Sequence, residues 1–323
     1  MATLKDVASV VGVSVATVSY VLTGRGSVSD EMKKKVLAAV EKLEYRPNRK
    51  AQAMRTGVSQ SIGLVIPDLT NPFYPALAQS IENTARAAGY SVILIDCQNN
   101  TDIEEEGLSL LEQQIVDGVI WCPTGNKSIK KLAKLKCPVV LLDRSHPGFN
   151  AVHCDYLRGG ELLAQYAIKM GHRKIGLLSG PQLTDSARQR RQGFMDAAGD
   201  NLDILWEVEV PFSSALNAKA RMALKDNAAS LIVAANDLIA VGAIGALNDA
   251  GLSVPADVSI VGFDNIPWSA VITPKLTTIN QPVAFIASEA VNMLVEKILA
   301  PDKPVRTIVL DVELVERDSA LRC

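Results

Sequence analysis

The sequence predicts a small all-α head at the N-terminus, followed by an α/β body made of two lobes with parallel sheets. Two observations lead to this prediction. Apolar residues recur at helical spacing up to about residue 44, whereas apolar strand-like runs alternate with amphipathic helical segments from residue 61 onward. The alternation occurs in two successive series, over residues 61–157 and 158–280, and repeated βα units imply parallel sheets.

The head is predicted to contain three short helices, each opened by a side chain that can cap its N-terminus. Thr3 and Asp6 have the spacing of a capping box, and Gly12 ends the helix that they open. Residues 13–21 have a period-two pattern that would suit a strand, but Gly12 and the Ser14 cap favour a helix. The first helix is predicted over residues 4–11 and the second from residue 14 to about residue 22. The third is predicted from Ser29, which caps it, to about residue 44.

Positive charge is concentrated in the head. The whole chain has a net charge of −2, but residues 1–60 contain ten Lys and Arg against five Asp and Glu. A basic head on an acidic body indicates an anionic partner for the head alone. Residues 49–57, RKAQAMRTG, form a short basic linker that is too weakly apolar to be helical without a partner.

Composition argues against several other classes of protein. No apolar run approaches the ~20 residues that span a bilayer, and the N-terminus lacks the apolar core of a secretory signal, so we expect a cytoplasmic protein without a membrane partner. The five cysteines have no CxxC spacing, which predicts reduced thiols and no metal site. The histidines lie outside GxSxG and HExxH contexts, and His172 is expected to be structural. We therefore expect no enzymatic activity, no catalytic residues and no cofactor.

The first two helices have the parts of a helix-turn-helix, in which the second helix lies in the major groove of DNA. Ala8 and Gly12 are small enough to let the helices approach, while Val7, Val18 and Val21 can fill the core between them. The residues then expected to be exposed are Val15, Ala16, Ser19 and Tyr20.

Motifs along the whole chain appear in a recognisable order. LKDVASVVGVSVATVSYVLTG and VSDEMKKKVLAAVEKLEYRPNRKAQAM begin the chain, and IGLVIPDLTNPFY, PVVLLDR, GHRKIGLLSGP, ANDLIAVGAIGAL and VPADVSIVGFDN follow in the body. This series resembles the LacI/GalR family of transcriptional regulators. The resemblance implies a repressor that binds double-stranded operator DNA as a homodimer and responds to a small-molecule effector. Its body is then expected to be periplasmic-binding-protein-like.

The resemblance also divides the chain into four parts. It implies a helix-turn-helix head over residues 1–46, a hinge helix or linker over 47–59, a first lobe over 60–157 plus about 283–310, and a second lobe over 158–282 plus about 311–323.

In this family the first positions of the recognition helix set the base preference. The matching residues are Val15 and Ala16, with Tyr20 one turn later, where many members carry Arg or His. Val15 and Ala16 cannot make bidentate hydrogen bonds, so we expect apolar contact with thymine methyl groups. Three hydroxyl side chains either contact DNA phosphates or serve only in capping and packing of the helix. They are Ser14, Thr17 and Ser19.

The family's hinge helix enters the minor groove and wedges a leucine between base pairs. Met54 occupies that position here and is expected to insert between base pairs in the same way. The alternative is that Met54 only packs within the protein. Arg49, Lys50 and Arg55 are expected to attract the DNA backbone in a salt-dependent way. Asn48 and Ala51 complete the predicted DNA-binding set.

The lobes resemble periplasmic sugar-binding proteins, especially ribose-binding protein, and this resemblance implies an effector site at the strand ends. Carboxylates, amides and guanidinium groups suit the hydroxyls of a polyol, and aromatic faces suit its C–H surface. Each residue taken alone also has a structural alternative: Asp143 and Asp264 could cap helices, and Phe73 could be a core residue. The predicted set is Asn71, Phe73, Tyr74, Asp143, Arg144, Ser186, Arg190, Phe212, Asn236, Asp264 and Gln281.

Ribose or a similar pentose is the expected effector, with a purine or another corepressor as the alternative. A sugar-binding receptor without DNA function is a more remote alternative, because it would leave the basic head without a role.

Overall fold

The structure is a computed structural model that describes residues 2–23, 27–45, 58–114, 116–125 and 135–323. The chain forms two compact units, Met1–Ser59 and Gln60–Cys323, which we call the head and the body. The predicted fold class, an all-α head and a two-lobed α/β body, is confirmed.

Three described helices form the head: α1 (Leu4–Val11), α2 (Val15–Thr23) and α3 (Asp30–Lys42). The predicted capping box opens α1, because Thr3 N donates to Asp6 Oδ2 at 2.7 Å and Asp6 N donates to Thr3 Oγ1 at 3.3 Å. Gly12 then ends α1 with a φ of 72°, a conformation that glycine adopts without strain.

The core of the head lies where the three helices meet. Val7, Val18 and Val36 are fully buried there. Val21, which was predicted for this core, is only half-buried, because α3 contributes Val36 and Val21 packs at the edge. The third helix ends slightly earlier than predicted, and Glu44 follows it with a left-handed φ of 47°.

The first lobe of the body alternates strands with helices, as predicted. Its elements are β1 (Ser61–Ile66), α4 (Phe73–Ala87), β2 (Ser91–Asp96), α5 (Thr101–Gln114), β3 (Gly118–Trp121), β4 (Val139–Leu142) and β5 (Asn150–Cys154). The strands are apolar and β1, β3 and β4 are buried almost throughout, as expected of a parallel sheet with helices on both faces.

The second lobe repeats this alternation. Its elements are α6 (Tyr156–Lys169), β6 (Lys174–Ser179), α7 (Asp185–Ala198), β7 (Asp203–Glu209), α8 (Ala218–Lys225), β8 (Leu231–Ala234), α9 (Asp237–Asp249), β9 (Ser259–Asp264) and β10 (Thr277–Asn280). A short 3₁₀ helix, Pro267–Ala270, lies between β9 and β10.

The last three elements are α10 (Val283–Leu299), β11 (Thr307–Leu310) and β12 (Glu313–Val315). Helix α10 packs against α4, β11 pairs with β5, and β12 pairs antiparallel with β10. The sheet orders are therefore β11-β5-β4-β3-β1-β2 and β12-β10-β9-β8-β6-β7. All other neighbouring strands are parallel, so the carboxyl ends of the strands in each lobe meet along one edge of the sheet.

Two further sequence predictions concern the role of His172 and the absence of a membrane-spanning helix. His172 is buried with its Nδ1 3.0 Å from Ser230 Oγ, and burial lowers the pKa of the imidazole, as is typical of a histidine packed in a protein interior. Over the described residues, no single helix is long and apolar enough to cross a membrane. Helices α1 and α2 meet such a criterion only as a pair bent by 105°.

Candidate DNA-binding and effector-binding sites

The second helix of the head begins at a serine cap. Thr17 N donates to Ser14 Oγ at 3.1 Å, and the Ser14 and Thr17 hydroxyls lie 2.9 Å apart. Ser14 therefore has a structural use that explains its place before α2, whether or not its exposed hydroxyl also meets a phosphate.

The outer face of α2 carries fewer fully exposed residues than predicted. Ala16 and Tyr20 are exposed, and the Tyr20 side chain leaves 51% of its surface to solvent. Val15 and Ser19 are half-buried, contrary to the prediction, because Val15 packs on the head core and Ser19 directly follows buried Val18. Ala16 and Tyr20 stand four residues apart, one above the other on the helix surface.

The predicted hinge contacts lie outside the described residues and stay predictions. They are Asn48, Arg49, Lys50, Ala51, Met54 and Arg55.

All eleven predicted effector residues lie beyond the carboxyl ends of parallel strands in the body. The first lobe contributes Asn71, Phe73 and Tyr74 after β1, and Asp143 and Arg144 after β4. The second lobe contributes Ser186 and Arg190 on α7, Phe212 after β7, Asn236 after β8, Asp264 at the end of β9 and Gln281 after β10. Seven of the eleven are buried and the other four are half-buried.

Arg190 occupies the centre of the second-lobe half of this set. Its Nη1 donates to Ala235 O at 2.8 Å and lies 3.1 Å from Asp264 Oδ1. The guanidinium carbon also lies 3.9 Å from the centroid of the Phe263 ring and 5.0 Å from that of Tyr156. The guanidinium is therefore fixed by an ion pair and stacked on aromatic faces, which restricts it to one orientation.

Asp264 is held between Arg190 and Gln281. Gln281 Nε2 donates to Asp264 Oδ1 at 2.7 Å. Burial raises the pKa of Asp264 to about 6, although Arg190 and Gln281 act in the opposite direction. Two buried polar atoms of these neighbours, Arg190 Nε and Gln281 Oε1, have no hydrogen-bond partner among the described residues. Unpaired buried donors and acceptors are costly, and a ligand that supplied the missing partners would remove this cost.

Asp143 connects the two lobes. It follows β4 in the first lobe, and its carboxylate accepts hydrogen bonds from the Tyr156 hydroxyl on α6 and from Ser186 Oγ on α7, the latter at 3.1 Å. Asp143 has a φ of 67° and Asp264 one of 113°, values that are rare outside glycine. Both aspartates thus accept hydrogen bonds from side chains of other elements and do not act as helix caps, and both have strained backbones of the kind that cluster at binding sites.

The wall of the site in the first lobe consists of two packed aromatic rings and a hydrogen-bonded arginine. The Phe73 and Tyr74 rings pack edge to face with centroids 5.3 Å apart, and Tyr74 lies beside Cys122. Burial, with Cys122 and Asp143 nearby, raises the pKa of Tyr74. Arg144 donates through Nη2 to Pro123 O at 2.8 Å, so the backbone of Pro123 helps to orient this arginine.

The remaining predicted residues have defined local roles. Asn236 caps α9 by accepting from Ile239 N at 2.9 Å, and the Asn71 side chain accepts from Phe73 N at 3.2 Å. Phe212 covers Gly180, where a Cβ atom would lie 2.6 Å from the ring, so glycine is needed for this close approach.

Sequence reasoning missed two residues that support this site. Tyr156 contacts both Asp143 and Arg190, but a tyrosine in an apolar helix start looks like ordinary core. Glu104 belongs to an acidic run that resembles a solvent-exposed helix face, yet it is fully buried. Its Oε1 accepts from Trp121 Nε1 and from Thr124 N, both at 2.8 Å, and so anchors the wall that contains Pro123.

A helix-turn-helix head joined to a two-lobed body with a buried polar site is the architecture of an effector-controlled, DNA-binding transcriptional regulator. Two family models match the chain. Residues 3–48 match bacterial regulatory proteins of the lacI family, and residues 59–317 match periplasmic binding proteins and the sugar binding domain of the LacI family.

Individual relatives agree with the family models. The HTH-type transcriptional repressor PurR of Mannheimia succiniciproducens is 33% identical over 99% of this chain and 98% of its own, and the ribose operon repressor of Halalkalibacterium halodurans is 33% identical over 99% of this chain and 97% of its own length.

Solved structures are similar as well. The lac repressor dimer bound to operator and the anti-inducer ONPF matches with a TM-score of 0.88 and 29% identity, covering 99% of each chain. A LacI family regulator from Enterococcus faecium with bound ribose matches with a TM-score of 0.73 and 31% identity, covering 81% of this chain and 99% of that one.

The chain belongs to the LacI family of bacterial regulatory proteins. It is a DNA-binding transcriptional repressor with an effector-binding body, and not an enzyme, as the sequence motifs predicted.

Proposed function

We propose that this repressor binds operator DNA as a homodimer in the cytoplasm and that a monosaccharide bound between the two lobes of its body controls its operator affinity. A pentose such as ribose is the favoured effector. The observation that carries the proposal is the set of Asp143, Arg190, Asp264 and Gln281 at the facing strand ends, where Asp143 is half-buried, the other three are buried and aromatic rings lie beside them.

The chemistry of this set suits a polyol. Arg190 Nε needs an acceptor and Gln281 Oε1 needs a donor. A sugar hydroxyl can do either, and adjacent hydroxyls of one ring can satisfy both atoms. Phe73, Tyr74 and Phe212 provide aromatic faces for the apolar C–H surface of the ring.

The charges of the predicted residues favour an uncharged ligand. Asp143 and Asp264 balance Arg144 and Arg190, and Asp264 is already paired with Arg190 at 3.1 Å. A phosphate or carboxylate on the ligand would have to compete with Asp264 for Arg190, and burying a charge without a full partner is costly.

Relatives support a sugar without making it the sole candidate. The Enterococcus faecium regulator holds ribose and the Halalkalibacterium halodurans relative is a ribose operon repressor, whereas PurR supports the purine alternative. The carboxylates of Asp143 and Asp264 favour the sugar, because ionised carboxylates only accept hydrogen bonds and sugar hydroxyls can all donate.

The DNA-binding step is proposed to use α2 in the major groove. Exposed Ala16 and Tyr20 would meet base edges, while the basic residues of the head and of the predicted hinge would supply attraction that weakens as salt is added. A ligand that binds one relative position of the two lobes more tightly would favour that position. This would change the geometry on which the pairing of the two hinge segments of the dimer depends, and hence the operator affinity.

Calorimetric titration with three separate ligands tests the effector class. We expect D-ribose to bind at one site per chain, D-glucose to bind more weakly and hypoxanthine to give no binding heat. Binding of hypoxanthine alone would replace the sugar proposal with the purine alternative.

A further inference from the structure

A buried carboxylate next to the effector site joins four segments of the second lobe. Asp237 is the first residue of α9, and its side chain is fully buried. Its Oδ2 accepts from Ile266 N at 2.9 Å and from Ser269 Oγ at 2.6 Å. Its Oδ1 accepts from the hydroxyl of Thr278 on β10. One side chain thus ties α9 to the turn after β9, to the following 3₁₀ helix and to β10.

All of these segments except the 3₁₀ helix adjoin a predicted effector residue. Asn236 directly precedes Asp237, Asp264 ends β9 just before the bonded turn, and Gln281 directly follows β10. Asp264 and Gln281 also bond each other at 2.7 Å. Movement of any one segment would therefore change the positions of polar groups that are expected to face the sugar.

The turn after β9 needs support of this kind. Asp264 has a φ of 113° and Asn265 one of 55°, and such conformations persist only where the surroundings hold them. The bond from Ile266 N to Asp237 fixes the next residue of the chain. Gly262 allows the approach, because a Cβ atom there would lie 2.2 Å from Asp237 Oδ1.

We propose that Asp237 is a positioning residue for effector binding, which holds Asp264 and Gln281 in their binding orientation without touching the ligand. The ligand class rests on the proposed function, whereas the effect of Asp237 on the turn does not.

The geometry of the acceptor, more than its charge, carries this role. All three partners donate to the carboxylate, and two of them are hydroxyls that can also accept. Burial and the neighbouring Asp264 raise the pKa of Asp237 to about 7, so the site disfavours the charge itself. In Asp237→Asn the amide oxygen can still accept from Ile266 N and Ser269, while the amide nitrogen can donate to the Thr278 hydroxyl.

The test compares Asp237→Ala, Asp237→Asn and the control Asp102→Ala in the full-length chain. Asp102 is an exposed acidic residue in the first turn of α5, so its replacement removes a helix N-terminal charge without the buried bonds. Two measurements are made: hydrogen exchange of the peptide that spans residues 262–281, and the D-ribose dissociation constant.

We expect Asp237→Ala to speed exchange in residues 262–281 and to weaken D-ribose binding about tenfold or more, because it leaves three donors without an acceptor. Asp237→Asn should restore both properties, and Asp102→Ala should change neither. Unchanged exchange in folded Asp237→Ala, or an Asn variant as impaired as the Ala variant, would overturn the proposal. If wild-type protein ignores D-ribose, the proposed effector class fails, and the exchange measurement still decides the role of Asp237.

Discussion

Replacing Arg190 with alanine is expected to abolish measurable D-ribose binding and, with it, any effect of the sugar on operator affinity. The side chain is 8% exposed and combines the ion pair with Asp264, the bond to Ala235 O and the stacking on Phe263. Charge-assisted hydrogen bonds contribute about 1.5–3 kcal/mol each. Loss of two such bonds to the sugar would therefore weaken binding by at least about a hundredfold. Calorimetry on purified variants measures this directly.

Variants on the same helix make this result specific. Arg188 is exposed and pairs with Asp185, so Arg188→Ala should bind D-ribose like the wild type. Arg190→Lys keeps a cation beside Asp264 but loses the planar fork, and an intermediate affinity is expected. Wild-type sugar affinity in a folded Arg190→Ala protein would show that the effector binds elsewhere. Operator affinity without ligand should be nearly the same in all these variants.

Removing residues 1–59 is expected to eliminate operator binding while leaving a folded body that binds D-ribose as tightly as the full chain. The body is a compact unit with its own buried cores, and the ribose-bound relative from Enterococcus faecium covers 81% of this chain. The excess of basic residues lies in the removed part, so the salt-dependent attraction to DNA should disappear with it.

A substitution in the full-length chain separates loss of DNA contact from loss of the whole head. Ala16 is exposed on α2, so Ala16→Asp should leave the fold intact and place a carboxylate against the DNA. Gel-shift titrations should show operator affinity reduced by more than about tenfold, since like charges across an interface are strongly unfavourable. Sequence-specific binding by the truncated protein would contradict the assignment of DNA recognition to the head.

Local signals in the sequence predicted most of the fold. Thr3, Asp6 and Gly12 marked the ends of α1 because caps depend on residues within one turn of the chain. The alternation of strands and helices likewise predicted two parallel sheets. The return of β11 to the first lobe and of β12 to the second came from the family resemblance, because each short strand is assigned to a sheet by pairing with distant residues.

The site was predicted less completely than the fold. Residues such as Arg190 and Asp264 follow strands and are polar, so their positions could be expected to lie at the facing edges. Tyr156, Glu104 and Asp237 could not be recognised in this way. Their roles depend on contacts between elements far apart in the sequence, and locally they resemble a core aromatic, an exposed helix acid and a helix N-terminal charge.

In the proposed function, one small molecule bound in the body changes the DNA affinity of the head. The most direct test measures the operator dissociation constant of the full-length chain with and without saturating D-ribose, on a DNA site recovered by selection from a random library. A change of at least about fivefold is expected, in the range typical of allosteric coupling. An unchanged operator dissociation constant, with D-ribose shown by calorimetry to be bound, would rule out control of DNA binding by this sugar.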